Sequence, residues 1–547
     1  MVLWDYIVVG GGLAGSVISN RLAEQTPRPK ILVIEGGINA NDREDIVWVN
    51  STNGQGGDFD WNYQSVPQVN LDNRVIPSNA GKGLGGGTLI NGAFWVRGHK
   101  LEYDQWASLV GDDRWSYESQ LPYMRKTEAF FTNDTDLEQR GLDGNVKIQG
   151  MTEKGRNFPM RQPLIDSWAA LGVSPVTDFD GNRGEPIGIS EAQESRNNGR
   201  RQPTSLVYPL DSVTVLTETL VAKIITGLDT KGELVARGVK LANGTEIHAR
   251  ETILTAGAYR TPQILMLSGI GPRDTLEKHG IDVVLDQPSV GQNLHDHPVL
   301  PAFWQIKNPS EGWARESGHP LWDGPQYDLG LDIDFITTLS LPKDGLARAI
   351  EEDEGVKPDP ATHPLLRQDR AHVSHTVQYS GVSPDGSVVM TLTLLLATQS
   401  KGKVTISSAD INDHPVIDAN FLGTAVDRFA MRESVRHDLE LLTSNRTVVG
   451  REIVAGEANP NPLSVASSDE EIDARIRQFT AGCYHPMGTA SMGKVVDSEL
   501  RVKGVKHLRI ADTSVFPVAI AANLQVATYA LAEQAADIIK KAGSHGC

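Results

Sequence analysis

The run TAGCYHPMGTASMG, residues 480 to 493, holds a single histidine, His485, and no charged residue. An imidazole in that company can bind a metal, fill space or accept a proton, and a reference pKa of about 6.5 suits the last at neutral pH. Other histidines cluster in NLHDHP (His295 and His297) and HVSH (His372 and His375). None shows H-E-x-x-H spacing or a cysteine partner, so no metal site is expected. A serine-hydrolase elbow, G-x-S-x-G, is missing too: LSGIG and TASMG both lack the leading glycine.

The front of the chain offers a different chemistry. A short β-branched run, YIVV, leads into GGGLAG with Gly10, Gly12 and Gly15, and then SVISNRLAEQ carries apolar residues at helical spacing. A second apolar run, ILVI, ends in Glu35, twenty residues beyond Gly15. Strand, tight turn, helix, strand and acid make up the dinucleotide fingerprint. The glycines let backbone approach a pyrophosphate, the helix N-terminus supplies N–H donors, and the acid meets ribose hydroxyls. NAD and FAD both satisfy it. No second glycine fingerprint follows, so one dinucleotide must serve, and if it is FAD the flavin works on the substrate directly.

Two longer segments carry a resemblance. GKGLGGGTLINGAFWVRGHKLEYD (81–104) and GAYRTPQILMLSGIG (257–271) are similar to the signature patterns of the glucose-methanol-choline (GMC) flavoprotein oxidoreductases. The likeness continues through VGQNLHDHP, SKGKVTISSAD, CYHPMGTASMG and the stretch from LRIADTSVFP to the final helical run; 310–375 is least similar. Gly85, Gly86 and Thr88 offer backbone and hydroxyl donors with little bulk, as a planar ring edge requires. The resemblance implies that Asn91 and Gln525 lie near the flavin ring, Val221 beside the adenine, and Asp512 near the ribityl and pyrophosphate. It also implies noncovalent FAD, because Ile90 stands where some members carry the histidine that bonds the flavin.

The resemblance further implies what His485 does. Removing hydride from an alcohol carbon leaves a strongly acidic protonated carbonyl unless a base takes the hydroxyl proton. In the family the histidine of HP-x-GT is that base opposite flavin N5, and His485 matches it. Asn523 matches the partner position and would hold the substrate oxygen; Leu524 follows where many members have proline. Trp95 and Tyr484 are candidate walls of the substrate cavity, and tryptophans 304, 313 and 322 suggest an aromatic-lined approach for a bulky or aryl alcohol. The expected reaction is alcohol to aldehyde or ketone, with O2 or a quinone-like compound as acceptor. The alternative is a lyase or cyclase that keeps FAD oxidised.

For positioning, the 547 residues suggest more than one domain. The expected class is mixed α/β: a Rossmann-like FAD-binding unit from 1–155, 205–300 and 475–547, and a substrate unit from 156–204 and 301–474. The latter reads as an antiparallel sheet backed by helices, from alternation in HVSHTVQYSGV and VVMTLTLLLATQ and the helical FAMRESVRHDLELL. Residues 308–366, rich in Pro, Gly and Asp, read as loops or a lid. A net charge of −18 disfavours nucleic acid and anionic membranes. No apolar run approaches the ~18 residues of a span. The beginning of the chain lacks a basic n-region and cleavage site, so a cytoplasmic location is expected. Cys483 and Cys547 are the only cysteines, and Asn-x-Ser/Thr triplets start at Asn50, Asn133, Asn243 and Asn445.

Overall fold

A computed structural model describes residues 3–47, 55–130, 136–152 and 155–544; Asn50, Asn133 and Cys547 lie outside the described residues. Two sheets organise the chain, and helices and strands mix as an α/β fold.

The first sheet forms because residues 6–9 of the strand Leu3–Val9 and all of Ile31–Ile34 are short, largely β-branched runs buried on both faces. They pair in parallel, and Leu3–Val9 also pairs in parallel with Glu246–Leu254. The far edge of Glu246–Leu254 is divided. Its beginning meets Leu234–Leu241 antiparallel, and its end takes Leu508–Ile510 in parallel. Residues near 510 thereby arrive beside the first strand's carboxyl end, where ligands bind in open α/β sheets. The helix Leu13–Leu22 follows the first strand and packs on the C-terminal helix Gln525–Ser544.

The second sheet is wholly antiparallel. Its order is Val454–Glu457, Pro298–Ile306, Val388–Leu395, Val373–Gln378, Phe335–Leu339, Gly188–Glu191. Period-2 alternation turns one face to a helix, Ala425–Thr443, whose Asp438 accepts from Thr391 and Thr393 and contacts His375 at 2.8 Å. Ala481–Gly482 pairs with the start of Pro298–Ile306, so this sheet draws on residues from 298 and from 481 that sequence reading assigned to the other unit.

Residues 308–366 are not all loop. Short 3-10 turns fill 309–329, but Phe335–Leu339 is a buried central strand and Lys343–Glu354 a helix packed on Ala425–Thr443. Pro342 and Gly355 bracket that helix, and such punctuation reads as loop when only composition is weighed. The tryptophans also differ from expectation. Trp304 is buried and donates to Thr391, Trp322 packs among Phe158, Tyr327 and Tyr379, and Trp313 donates to Glu311. They serve the core of the second sheet rather than an approach to a site. No helix among the described residues is long and apolar enough to cross a membrane.

Candidate active site

A cavity of about 600 Å³ runs from the first sheet's glycine turn to the inner face of the second sheet. Gly10, with φ of +103°, adopts a conformation that L side chains avoid. A Cβ on Gly15 would lie 2.0 Å from the Gly10 carbonyl oxygen, so helix and turn touch backbone to backbone. Gly15→Ala is therefore expected to destabilise the fold by about 1–3 kcal/mol, read as a lowered thermal midpoint. The second glycine segment abuts the first: Gly85 N–H donates to Gly11 O at 2.8 Å, and a Cβ on Gly86 would meet Gly12 Cα at 2.8 Å. Gly12, Gly86, Thr88 and Asn91 all line the cavity, while Gly15 and Gly85 shape the turns behind it.

Glu35 ends its strand at the cavity wall and accepts N–H donors from Gly11 and Gly37, each at 2.8 Å. Burial pushes its carboxyl above the ordinary range against those donors. The Gly83 N–H also faces this carboxylate, which still keeps lone-pair capacity for a hydroxyl. Asp512 accepts from Gly257 N–H and the Thr261 hydroxyl, and caps the turn Thr513–Val515 through Ser514 N–H. It thus ties the helix Gly257–Leu267 to the C-terminal segment at the cavity edge. Val221 lines the same end, buried at the start of Val221–Leu228.

Asn91 is locked. Its Oδ1 accepts from Arg201 at 2.7 Å, and its Nδ2 donates to Gln525 Oε1 at 2.6 Å; Gln525 in turn donates to Ser195. Sequence reading missed Arg201, since one arginine in a polar run reads as surface. Burial, reinforced by Arg196, lowers its pKa to about 9.

Antiparallel contact between 295–299 and 481–487 brings NLHDHP and CYHPMGT together. Cys483 N–H donates to His297 O, and His295 and Met487 exchange backbone bonds. Asp296 Oδ1 accepts the His485 N–H at 2.8 Å, fixing the backbone beneath the imidazole. Burial raises the Asp296 carboxyl to about 7. Tyr484 sits at φ of +60°, a strained setting for a bulky residue, and lines the cavity just before His485.

The His485 ring has three neighbours: His297 Nδ1 lies 3.0 Å from its Nδ1, Asn523 Nδ2 lies 3.3 Å from its Nε2, and Cys483 Sγ is 3.9 Å from Nε2. The ring lines the cavity, and the surrounding protein's desolvation lowers its pKa to about 4. Its protons can be assigned from partners. His297 Nε2 is buried without a hydrogen-bond partner among the described residues. Burial, with His485 and His295 nearby, holds His297 well below its usual pKa, which favours a neutral ring. One of the two facing Nδ1 atoms must carry the proton of their contact; with that proton on His485, its Nε2 is the unprotonated nitrogen beside Asn523.

One cavity thus brings together Gly10, Gly12, Glu35, Gly86, Thr88, Asn91, Val221, Tyr484, His485, Asp512, Asn523 and Gln525. Trp95 is not among them. It is fully buried, its Nε1–H donating to Glu128, which also binds Arg97 and Arg140; its neighbour Phe94 lines the cavity instead.

Models of the GMC oxidoreductase family match residues 4–299 and 398–532. The chain belongs to the GMC oxidoreductase family. It is 34% identical to the GMC-type oxidoreductase acuG of Aspergillus aculeatus, over 98% of this chain and 99% of that protein. To the oxygen-dependent choline dehydrogenase of Burkholderia vietnamiensis it is 30% identical, over 98% and 93%. A solved variant of Aspergillus oryzae RIB40 formate oxidase superimposes with a TM-score of 0.87 at 28% identity, covering 99% of each chain. These GMC relatives are named for oxidoreductase chemistry, and the lyase or cyclase alternative finds no support among them.

Proposed function

We propose that this GMC oxidoreductase binds FAD in the cavity and oxidises an alcohol to an aldehyde or ketone, with His485 as base and Asn523 orienting the substrate oxygen. The observation that carries the reading is the position of His485 Nε2, 3.3 Å from the Asn523 amide nitrogen, with both residues lining the dinucleotide cavity.

The cavity suits the cofactor. A Cβ on Gly87 would meet nothing within 4 Å, leaving that face of the cradle open for a flat ring. Gly12 and the start of Leu13–Leu22 present backbone to a pyrophosphate, Glu35 offers free lone pairs to a ribose, and Val221 gives an apolar seat for the adenine. Ile90 carries no nucleophile, so FAD is held without a bond to that position. When bound, FAD supplies the hydride acceptor.

The chain's own residues do the rest. Asn523 Nδ2–H donates to the alcohol oxygen and holds the carbinol in one orientation. His485 Nε2 takes the hydroxyl proton, and its Nδ1–H continues to donate to His297 in the resulting imidazolium. The locked Asn91–Gln525 pair keeps the cradle from shifting.

The test is a visible spectrum of the purified protein, followed without air as alcohols are added. Flavin absorbance that bleaches with an alcohol and returns on readmitting air supports the reading and names oxygen as acceptor. Bleaching that needs an added quinone to reverse supports it with a different acceptor. Folded protein that takes up no flavin, or turnover of an alcohol with the flavin oxidised throughout, contradicts it.

A further inference from the structure

The far wall of the cavity is the inner face of the antiparallel sheet. On Val373–Gln378, Ser374 and Thr376 line the cavity, whereas His375 between them bonds Asp438 on the helix behind. Register sets Leu394 opposite Ser374 and Leu392 opposite Thr376; on the next strand Val299 lies opposite Leu394 and Pro301 opposite Leu392. Two parallel rows result, in which Val299 and Leu394 lead to Ser374 and Pro301 and Leu392 lead to Thr376, and Ile336 on the following strand adds a further apolar side chain to the wall. Cys483, two residues from the base, packs into the same apolar cluster as Leu394 and Leu392, which joins this wall to His485.

Both hydroxyls are underused. Thr376 Oγ1 has only a 3.5 Å contact with Leu392 O, and Ser374 has no side-chain partner among the described residues. Charge is absent from this wall. Among the described lining residues the charged side chains are Glu35, Arg260 and Asp512. Glu35 and Asp512 are held by backbone N–H groups of the dinucleotide end, and Arg260 by the Tyr63 hydroxyl and Ile411 O.

We propose that Ser374 and Thr376 form a subsite for an uncharged alcohol, whose apolar body lies on Leu392 and Leu394 and whose second neutral polar group bonds these hydroxyls. The inference rests on the alcohol-oxidation reading and narrows it. Choline is a cation and formate an anion; either charge would be stripped of water against leucine and valine with no counter-charge in reach. The substrate of this chain therefore differs in charge class from the substrates for which those two relatives are named.

The experiment uses the FAD-loaded enzyme without air, following flavin reduction by benzyl alcohol, 1,4-benzenedimethanol, choline and glycolate. The diol is expected to be the best, with choline and glycolate at least about tenfold less efficient than either neutral alcohol. Ser374→Ala and Thr376→Val, which preserve packing, are expected to lower efficiency for the diol by about tenfold. Benzyl alcohol, lacking the second hydroxyl, should be affected far less. Choline or glycolate as the best substrate overturns the subsite and leaves alcohol oxidation standing. So does an equal loss for both neutral alcohols in the variants. A flavin that dithionite bleaches but none of the four compounds reduces overturns the alcohol-oxidation reading itself, and the subsite with it.

Discussion

His485→Ala slows alcohol-driven flavin reduction by about 10²–10⁴-fold while the protein stays folded and yellow. The expectation follows from where the ring sits. Its contacts are His297, Asn523 and Cys483, and its backbone is pinned separately by Asp296, so trimming the side chain leaves the loop anchored. The glycine cradle is built from other segments, and FAD content should be unchanged. The pH dependence tests the same assignment from another direction. Burial holds His485 at about 4, so the lone pair is lost only as pH falls toward that value. At saturating substrate, which displaces cavity water, the acid limb of the reduction rate should lie below about 6.5, the unperturbed value. Reduction undiminished in His485→Ala, or an acid limb above that value, would count against a desolvated base.

The second large effect belongs to a residue that need not touch substrate. His297 Nδ1 faces His485 Nδ1 at 3.0 Å and, as an acceptor there, would hold the proton on that nitrogen; a base in the wrong tautomer presents N–H where a lone pair is needed. His297→Leu removes the acceptor and should cost about 10² in reduction rate with little change in apparent substrate affinity. The lost acceptor also makes the imidazolium less favourable, so the acid limb should move lower still. His297→Asn has nearly leucine's shape but offers Oδ1 as acceptor, and it should recover much of the rate. Equal loss in both variants would mean that His297 only fills space.

Much of this site was legible in local signals. The turn around Gly10 and Gly15 leaves almost no alternative, because backbone meets backbone there and only glycine fits. Glu35 was found because the next strand must end beside that turn. Alternation in HVSHTVQ announced a strand with unlike faces, although which face was wet could not be read without the partner helix. What eluded sequence were pairings across long separations. His297 lies 188 residues from His485, and nothing near either one states that their Nδ1 atoms meet. Trp95 misled for a related reason: indoles suit both pockets and cores, and the deciding partner, Glu128, lies 33 residues away. Arg201 gave no signal at all, since burial of a guanidinium depends on acceptors supplied by other segments.

The alternation along Val373–Gln378 has an evolutionary reading. Ser374 and Thr376 meet the ligand space and His375 between them binds Asp438, so recognition and scaffold integrity are encoded in separate, interleaved positions. Exchanging residues at 374 and 376 would retune which molecule is accepted without loosening the layer beneath, and a diversified library confined to them should stay folded while its preferences scatter.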